Sequence, residues 1–179
     1  MRMQAFLLVT SCMLISSVMP SLAGNTLFGW GVVNMQGAII ETACAIAVES
    51  QNQSIEMGVV PLSDIVRDGQ GSRKYFSIEL INCVVERQDA KKPDWKKFNI
   101  TFDGDSDGNF FRLSGDASGV ALKITDKHGN AAFPGQPLMN DDIHPGDMKL
   151  QYQLFLVANQ KALKAGDFFS SVRFKLDYF

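Results

Sequence analysis

An all-β sandwich or barrel is the fold class that the sequence predicts, and three observations predict it. Short apolar segments, several alternating with a period of two, recur along the 179 residues. Polar turns such as Asp68-Gly69-Gln70-Gly71, Asp103-Gly104, His128-Gly129-Asn130 and Pro145-Gly146-Asp147 separate them. Few stretches show helical spacing. Many short strands joined by Gly/Asp/Asn turns are the pattern of a sandwich or barrel.

The first element is not part of that fold. Arg2 supplies a positive start, residues 5–15 (AFLLVTSCMLI) an apolar run, and Ser21-Leu22-Ala23 a small-residue cut site. This is the pattern of a secretion signal, and the run is too short for a spanning helix. Cleavage after Ala23 is expected, so that 1–23 is a signal. A lipoprotein-like cut before Cys12 competes, but it would split the apolar run. Residues 24–37 follow as a Gly-rich apolar arm in which Gly31, Val33, Met35 and Gly37 fall on alternate positions. By itself such a stretch also fits an unstructured N-terminus.

Residues 38–179 hold the strand candidates. They are 38–48 (AIIETACAIAV), 54–60 (SIEMGVV), 74–85 (KYFSIELINCVV), 97–103 (KFNITFD), 119–126 (GVALKITD), 148–158 (MKLQYQLFLVA) and the C-terminal segment. A short helical turn is expected near 62–66. In 97–103, Phe98, Ile100 and Phe102 share one face. In the last segment Val172, Phe174, Leu176 and Tyr178 alternate with Arg173, Lys175 and Asp177. That is a half-buried strand, and pattern alone also allows an ordinary internal strand. Residues 87–97 (RQDAKKPDWKK) read as a solvated loop.

Composition narrows the function. The formal net charge is −2, and one unit more negative once Arg2 is lost. A nucleic-acid binder would normally show a basic patch or stripe. After the signal, no apolar stretch reaches membrane-spanning length. The two histidines, His128 and His144, both lie in turns, and no nucleophile elbow, zinc-protease or phosphate-loop motif occurs. No catalytic residue, metal ligand or cofactor is therefore assigned. Asp103-Gly-Asp105-Ser-Asp107-Gly108 matches the start of a calcium loop, but the twelfth position is Ser114 rather than Glu. A polar strand-to-strand loop is the better account. The sequons at Asn52 and Asn99 need no further explanation. Cys44 and Cys83 remain as an even pair in an exported chain, so a disulfide is the default over two free thiols or a metal site. It closes a loop of about 40 residues, worth roughly 4 kcal/mol in the chain-entropy model.

The signal, the arm, Cys44 within GAIIETACAI, Cys83 within IELINC, Gly166 fourteenth from the end and the penultimate Tyr178 occur in an order that resembles subunits of chaperone-usher pili, the fimbrial (pilin) family. The resemblance covers the chain beyond the signal. ITFDG, LSGDASGVALKITDKHGN, LKAGDFFSSVRFKLDY and SIEMGVVPLSDI are most similar to the terminator, or anchor, minor subunit of P-type pili.

That resemblance implies an incomplete immunoglobulin-like sandwich that lacks its final strand and carries an N-terminal donor arm. It implies three kinds of partner: a periplasmic pilus chaperone, an outer-membrane usher and other pilin subunits. Gly31, Val33 and Met35 of the arm would enter a neighbour's groove, with Leu27 or Gly29 beginning the engagement. Gly166, Val172, Phe174, Leu176, Tyr178 and Phe179 would form the chaperone-facing groove edge, with the terminal carboxylate of Phe179 held by basic residues of the chaperone. Met35 stands where many arms of the family carry an aromatic. The implied role is a structural minor subunit of a fimbria on the bacterial cell surface, reached through the periplasm and assembled by donor-strand exchange, with a terminator at the pilus base as its finer form. The alternatives are an ordinary shaft or adaptor pilin and a glycan-binding adhesin, although the chain leaves no room for a separate lectin domain ahead of the arm. A free-standing calcium-binding sandwich is a third alternative.

Overall fold

The computed structural model describes residues 29–138 and 141–179. The predicted signal and the first arm residues, including Leu27, lie outside the described residues. The chain divides into one unit up to Ile39 and a second from Ile40 to Phe179. In the first unit the described residues form neither helix nor strand.

The regular elements of the second unit are mostly strands. In chain order the elements are β1 (Ala45–Ile46), helix α1 (Val48–Gln51), helix α2 (Leu62–Asp68), β2 (Lys74–Cys83) and β3 (Lys97–Asp103). Then come β4 (Ser106–Asp107), β5 (Phe110–Phe111), β6 (Ser114–Gly115), β7 (Val120–Asp126) and β8 (Ala131–Ala132). β9 (Asp141–Asp142), β10 (Gly146–Ala158), β11 (Phe168–Phe169) and β12 (Arg173–Tyr178) complete the set. One sheet has the order β1-β2-β10-β7-β5-β4, with β8 also on β7; a second has the order β12-β3-β9; β11 pairs with β6. No helix among the described residues is long and apolar enough to cross a membrane.

Alternation decides which side chains meet. On β10, Leu150, Tyr152, Leu154 and Leu156 share one face because successive side chains point to opposite sides. They join Ile78 and Leu80 of β2, Leu122 and Ile124 of β7 and Phe111 of β5 in one buried cluster. Phe98, Ile100 and Phe102 of β3 close that cluster from the second sheet. Phe102 stands edge-on to Tyr152, with ring centroids 5.1 Å apart. The architecture is thus two sheets packed over a single core.

The five long strands fall where alternation or sustained apolar character places them. Two candidates do not. Within 38–48 only Ala45 and Ile46 pair in a sheet, while Ile39 and Ile40 are exposed and residues 48–51 are helical. Residues 54–60 form no strand. Gly58 there adopts a φ of 68°, which breaks an extended run, although Ile55, Met57 and Val60 still lean on the core. The helical turn expected at 62–66 is α2, which ends on Gly69 in the left-handed conformation, its N–H donating to the Ile65 carbonyl.

Candidate functional site

β12 lies at one end of the three-stranded sheet and among the described residues has a single neighbour, β3, in an antiparallel register that sets Phe174 opposite Phe102, Leu176 opposite Ile100 and Tyr178 opposite Phe98. The side chains on the shared face have unequal fates. Phe98, Ile100 and Phe102 are 2–3% exposed. Val172, Phe174, Leu176 and Tyr178 are only half-buried, although they pack against the same core. The alternate positions of β12 are solvent-facing and charged: Arg173 pairs with Asp103 at 3.2 Å and Lys175 with Asp177 at 2.9 Å.

The unequal burial follows from neighbours. β3 is covered on both edges: β12 on one side, and on the other β9 together with residues 135–138. Gly135 N–H donates to the Phe102 carbonyl at 2.8 Å and Leu138 N–H to the Ile100 carbonyl at 2.8 Å. Among the described residues, no strand covers the far edge of β12. Its hydrogen bonding can be read from its end. Phe179 N–H donates to the Lys97 carbonyl and Lys97 N–H donates back to the Phe179 oxygen, both at 3.0 Å. Backbone groups alternate sides along an antiparallel strand. Those of Lys175 and Asp177 therefore face β3, and those of Phe174, Leu176 and Tyr178 face the uncovered edge. Among the described residues, the same three thus present half-buried side chains and unpaired backbone groups together.

One end of this row is anchored. Tyr178 stacks near Trp95 and Phe98, at 6.1 and 6.4 Å between ring centroids, and its hydroxyl donates to the Cys44 carbonyl at 3.5 Å. Cys44 is disulfide-bonded to Cys83. Burial raises the Tyr178 phenol above its ordinary value, because the charged phenolate would lose solvent. The Phe179 oxygen also accepts from Lys96 N–H at 3.0 Å, so it is held within the domain.

Gly166 does not sit along β12. A Cβ there would come within 2.7 Å of Asp116, so glycine permits the close approach of residues 164–168 to residues 115–118 that pairs β11 with β6. Gly31, Val33 and Met35 lie in the first unit, with Val33 and Met35 87% and 90% exposed. Two further clusters have no signature in the sequence. At the start of the second unit, Glu41 accepts from Gln88 N–H at 3.0 Å and pairs with Arg87 at 3.1 Å. Those two contacts hold the Glu41 carboxyl below the usual range, the Gln88 hydrogen bond most of all. The Arg87 guanidinium carbon stands 3.6 Å from the Trp95 ring centroid. In the Asp-rich loop, Asp107 accepts from Asn159 Nδ2 at 2.6 Å and from Lys161 Nζ at 2.7 Å. The Lys161 bond is the main reason that its carboxyl is lowered. Both clusters join residues far apart in sequence, and nothing local to either partner announces them.

Comparison with known proteins gives a consistent result. No family model matches the chain. Two curated relatives from Escherichia coli, the PRS and PAP fimbrial minor pilin proteins, are each 32% identical over 163 residues, covering 89% of this chain and 84% of theirs. The fimbria A protein of Serratia marcescens is 29% identical, covering 88% of this chain and 90% of its own. Among solved structures, the P pilus rod subunit PapA superposes with a TM-score of 0.64 at 23% identity, over 77% of this chain and all of that one. A chain of a chaperone-usher pilus described for rod uncoiling gives 0.67 at 23% identity, over 84% and 96%. The structural likeness carries the immunoglobulin-like pilus-subunit fold, and the sequence likeness carries the family.

Proposed function

The chain belongs to the fimbrial pilins of the chaperone-usher type, a family of structural proteins rather than enzymes, and on that premise we propose that it is a minor subunit whose β12 edge receives a strand from another molecule. The observation that carries this reading is the half-buried row Val172, Phe174, Leu176 and Tyr178 beside the fully buried row of β3. A sandwich missing its last strand would leave this pattern, with side-chain pockets and free backbone groups on one edge. In the periplasm a chaperone supplies the strand. At the outer-membrane usher the arm of a neighbouring subunit replaces it. The chain's own arm, through Gly31, Val33 and Met35, enters another subunit's groove in the same way. Its exposed apolar side chains fit a segment meant to be buried elsewhere.

The finer form of the proposal is that the subunit ends the polymer and holds its base at the cell envelope. Its support is the 32% identity to relatives named minor pilins, over most of both chains. The product would reside in the fimbrium at the cell surface after passing through the periplasm. The test mixes the chaperone-bound subunit with synthetic arm peptides of other subunits and follows chaperone release by size-exclusion chromatography. A terminator retains the chaperone over hours. Ready displacement assigns the chain to the shaft or adaptor class instead, and failure of any chaperone to bind the β12 edge removes the strand-acceptor reading altogether.

A further inference from the structure

On the other sheet, on the face turned away from the core, the register of three long strands assembles a basic recess. β10 sets Phe155 opposite Lys123 and Gln153 opposite Thr125 of β7, while Gln153 also faces Tyr75 of β2. Arg73 and Lys127 flank the β7–β10 pairs, and with Lys123, Thr125, Gln153 and Phe155 they line a recess of about 350 Å³. Phe155 forms its floor: the Arg73 guanidinium carbon is 5.2 Å and Lys123 Nζ 5.7 Å from its ring centroid. Among the described residues, none of Arg73, Lys123 and Lys127 takes part in an ion pair. The nearby acid, Asp126, spends its carboxylate on His128 N–H and on the backbone and side-chain N–H groups of Asn130. Three cations without counter-charge are thus gathered in a concavity of a protein whose net charge is −2. Such a concavity focuses positive field.

A second recess adjoins the first and shares Lys127 and Gln153 with it. It adds Tyr75, Ser77 and Gln151, with Tyr75 73% exposed. An exposed aromatic ring beside two side-chain amides and a hydroxyl offers an apolar face and both donors and acceptors, the complement of a sugar ring. We propose that this furrow binds an acidic oligosaccharide, its sulfate or phosphate monoester held by Arg73, Lys123 and Lys127 over Phe155 and its adjoining sugar laid against Tyr75 between Gln151 and Gln153. The alternative is that the Arg73 and Lys123 stems merely cover Phe155. That alternative explains neither the position of Lys127 nor the exposed Tyr75. The proposal does not depend on strand donation, because the furrow lies on the sheet that does not contain β12.

The test is calorimetric titration of the full secreted chain, any bound partner retained, with a sulfated heparin tetrasaccharide, its desulfated counterpart and inorganic sulfate. The sulfated sugar is expected to bind, the desulfated sugar not to bind, and inorganic sulfate to bind much more weakly. Arg73→Gln and Lys127→Gln should each weaken binding about tenfold, the scale of a charged hydrogen bond, and Tyr75→Ala several-fold. Lys91→Gln, the same charge change in the 87–97 loop, should leave it unaltered. Absence of wild-type binding at millimolar sugar overturns the proposal, as does equal binding by Arg73→Gln and Lys91→Gln. Inorganic sulfate binding as tightly as the sulfated sugar overturns the saccharide assignment.

Discussion

β3 and β12 are neighbours in one sheet, paired residue for residue, and each sets an apolar row against the same core. One row is sealed and the other half open. Sequence pattern does not distinguish them: Phe98-Ile100-Phe102 and Phe174-Leu176-Tyr178 alternate alike. The difference is lateral. Among the described residues, β3 has neighbours on both edges, whereas β12 has one. Burial in a sheet is a property of the strand's company as much as of its residues, and on our reading the missing company of β12 is what the protein exists to recruit.

The largest effect should come from breaking that comparison directly. Phe102→Ala should cost about 3–5 kcal/mol, the range for a buried aromatic, read from urea unfolding. Phe174→Ala, at its register partner, should cost less than half as much in the uncomplemented subunit, because its side chain is only half-buried. In a strand-complemented subunit the two costs should approach each other. Equal costs without a donated strand would erase the distinction between the rows.

A smaller effect should appear at Tyr178. Its raised pKa means that the neutral phenol is favoured in the folded state. The stability this contributes is fully present below the unfolded value near 10.0 and is lost as pH rises through the raised one. A strand laid along β12 should bury the ring further and raise the value again. Spectrophotometric titration of wild type against Tyr178→Phe, with and without the strand, reads this. An unchanged titration on complementation would place Tyr178 outside the groove.

The smallest effect belongs to a residue that is part of neither row. Asp107 has a lowered pKa through Lys161 and Asn159, so its contribution is present above the ordinary carboxylate range and fades as pH falls through the lowered value. Asp107→Asn should cost less than about 1 kcal/mol at neutral pH, as for other largely surface pairs, and nothing once the wild-type carboxyl is protonated. Unfolding midpoints at both acidities check this, and strand uptake by β12 should be unaffected.

The long strands were legible because their alternation is local. β3 was readable to its boundaries, and β12 to within a residue. Residues 38–48 and 54–60 misled because apolar alternation also occurs where side chains lean on a core without backbone pairing, or stay exposed, as at Ile39 and Ile40. The arm and the terminal strand were legible only through the order of arm, cysteines and terminal tyrosine, since neither stretch alone separates a donor from a tail or an edge strand from a central one. The Glu41–Arg87–Trp95 contact, the hold on Asp107 and the Arg73–Lys123–Lys127 recess were invisible for a common reason. Register and packing, not proximity in sequence, bring their members together.

If β12 offers an unfilled edge to a donated strand, as we propose, its backbone amides should report it. Residue-resolved amide hydrogen exchange on the monomeric subunit, before and after complementation by a donor-strand peptide, tests it most directly. Fast exchange is expected at Phe174, Leu176 and Tyr178 and slow exchange at Lys175 and Asp177 in the free subunit, with all five protected once the strand is bound. Protection of Phe174, Leu176 and Tyr178 in the free monomer, or no change at these amides when the peptide binds, would contradict it.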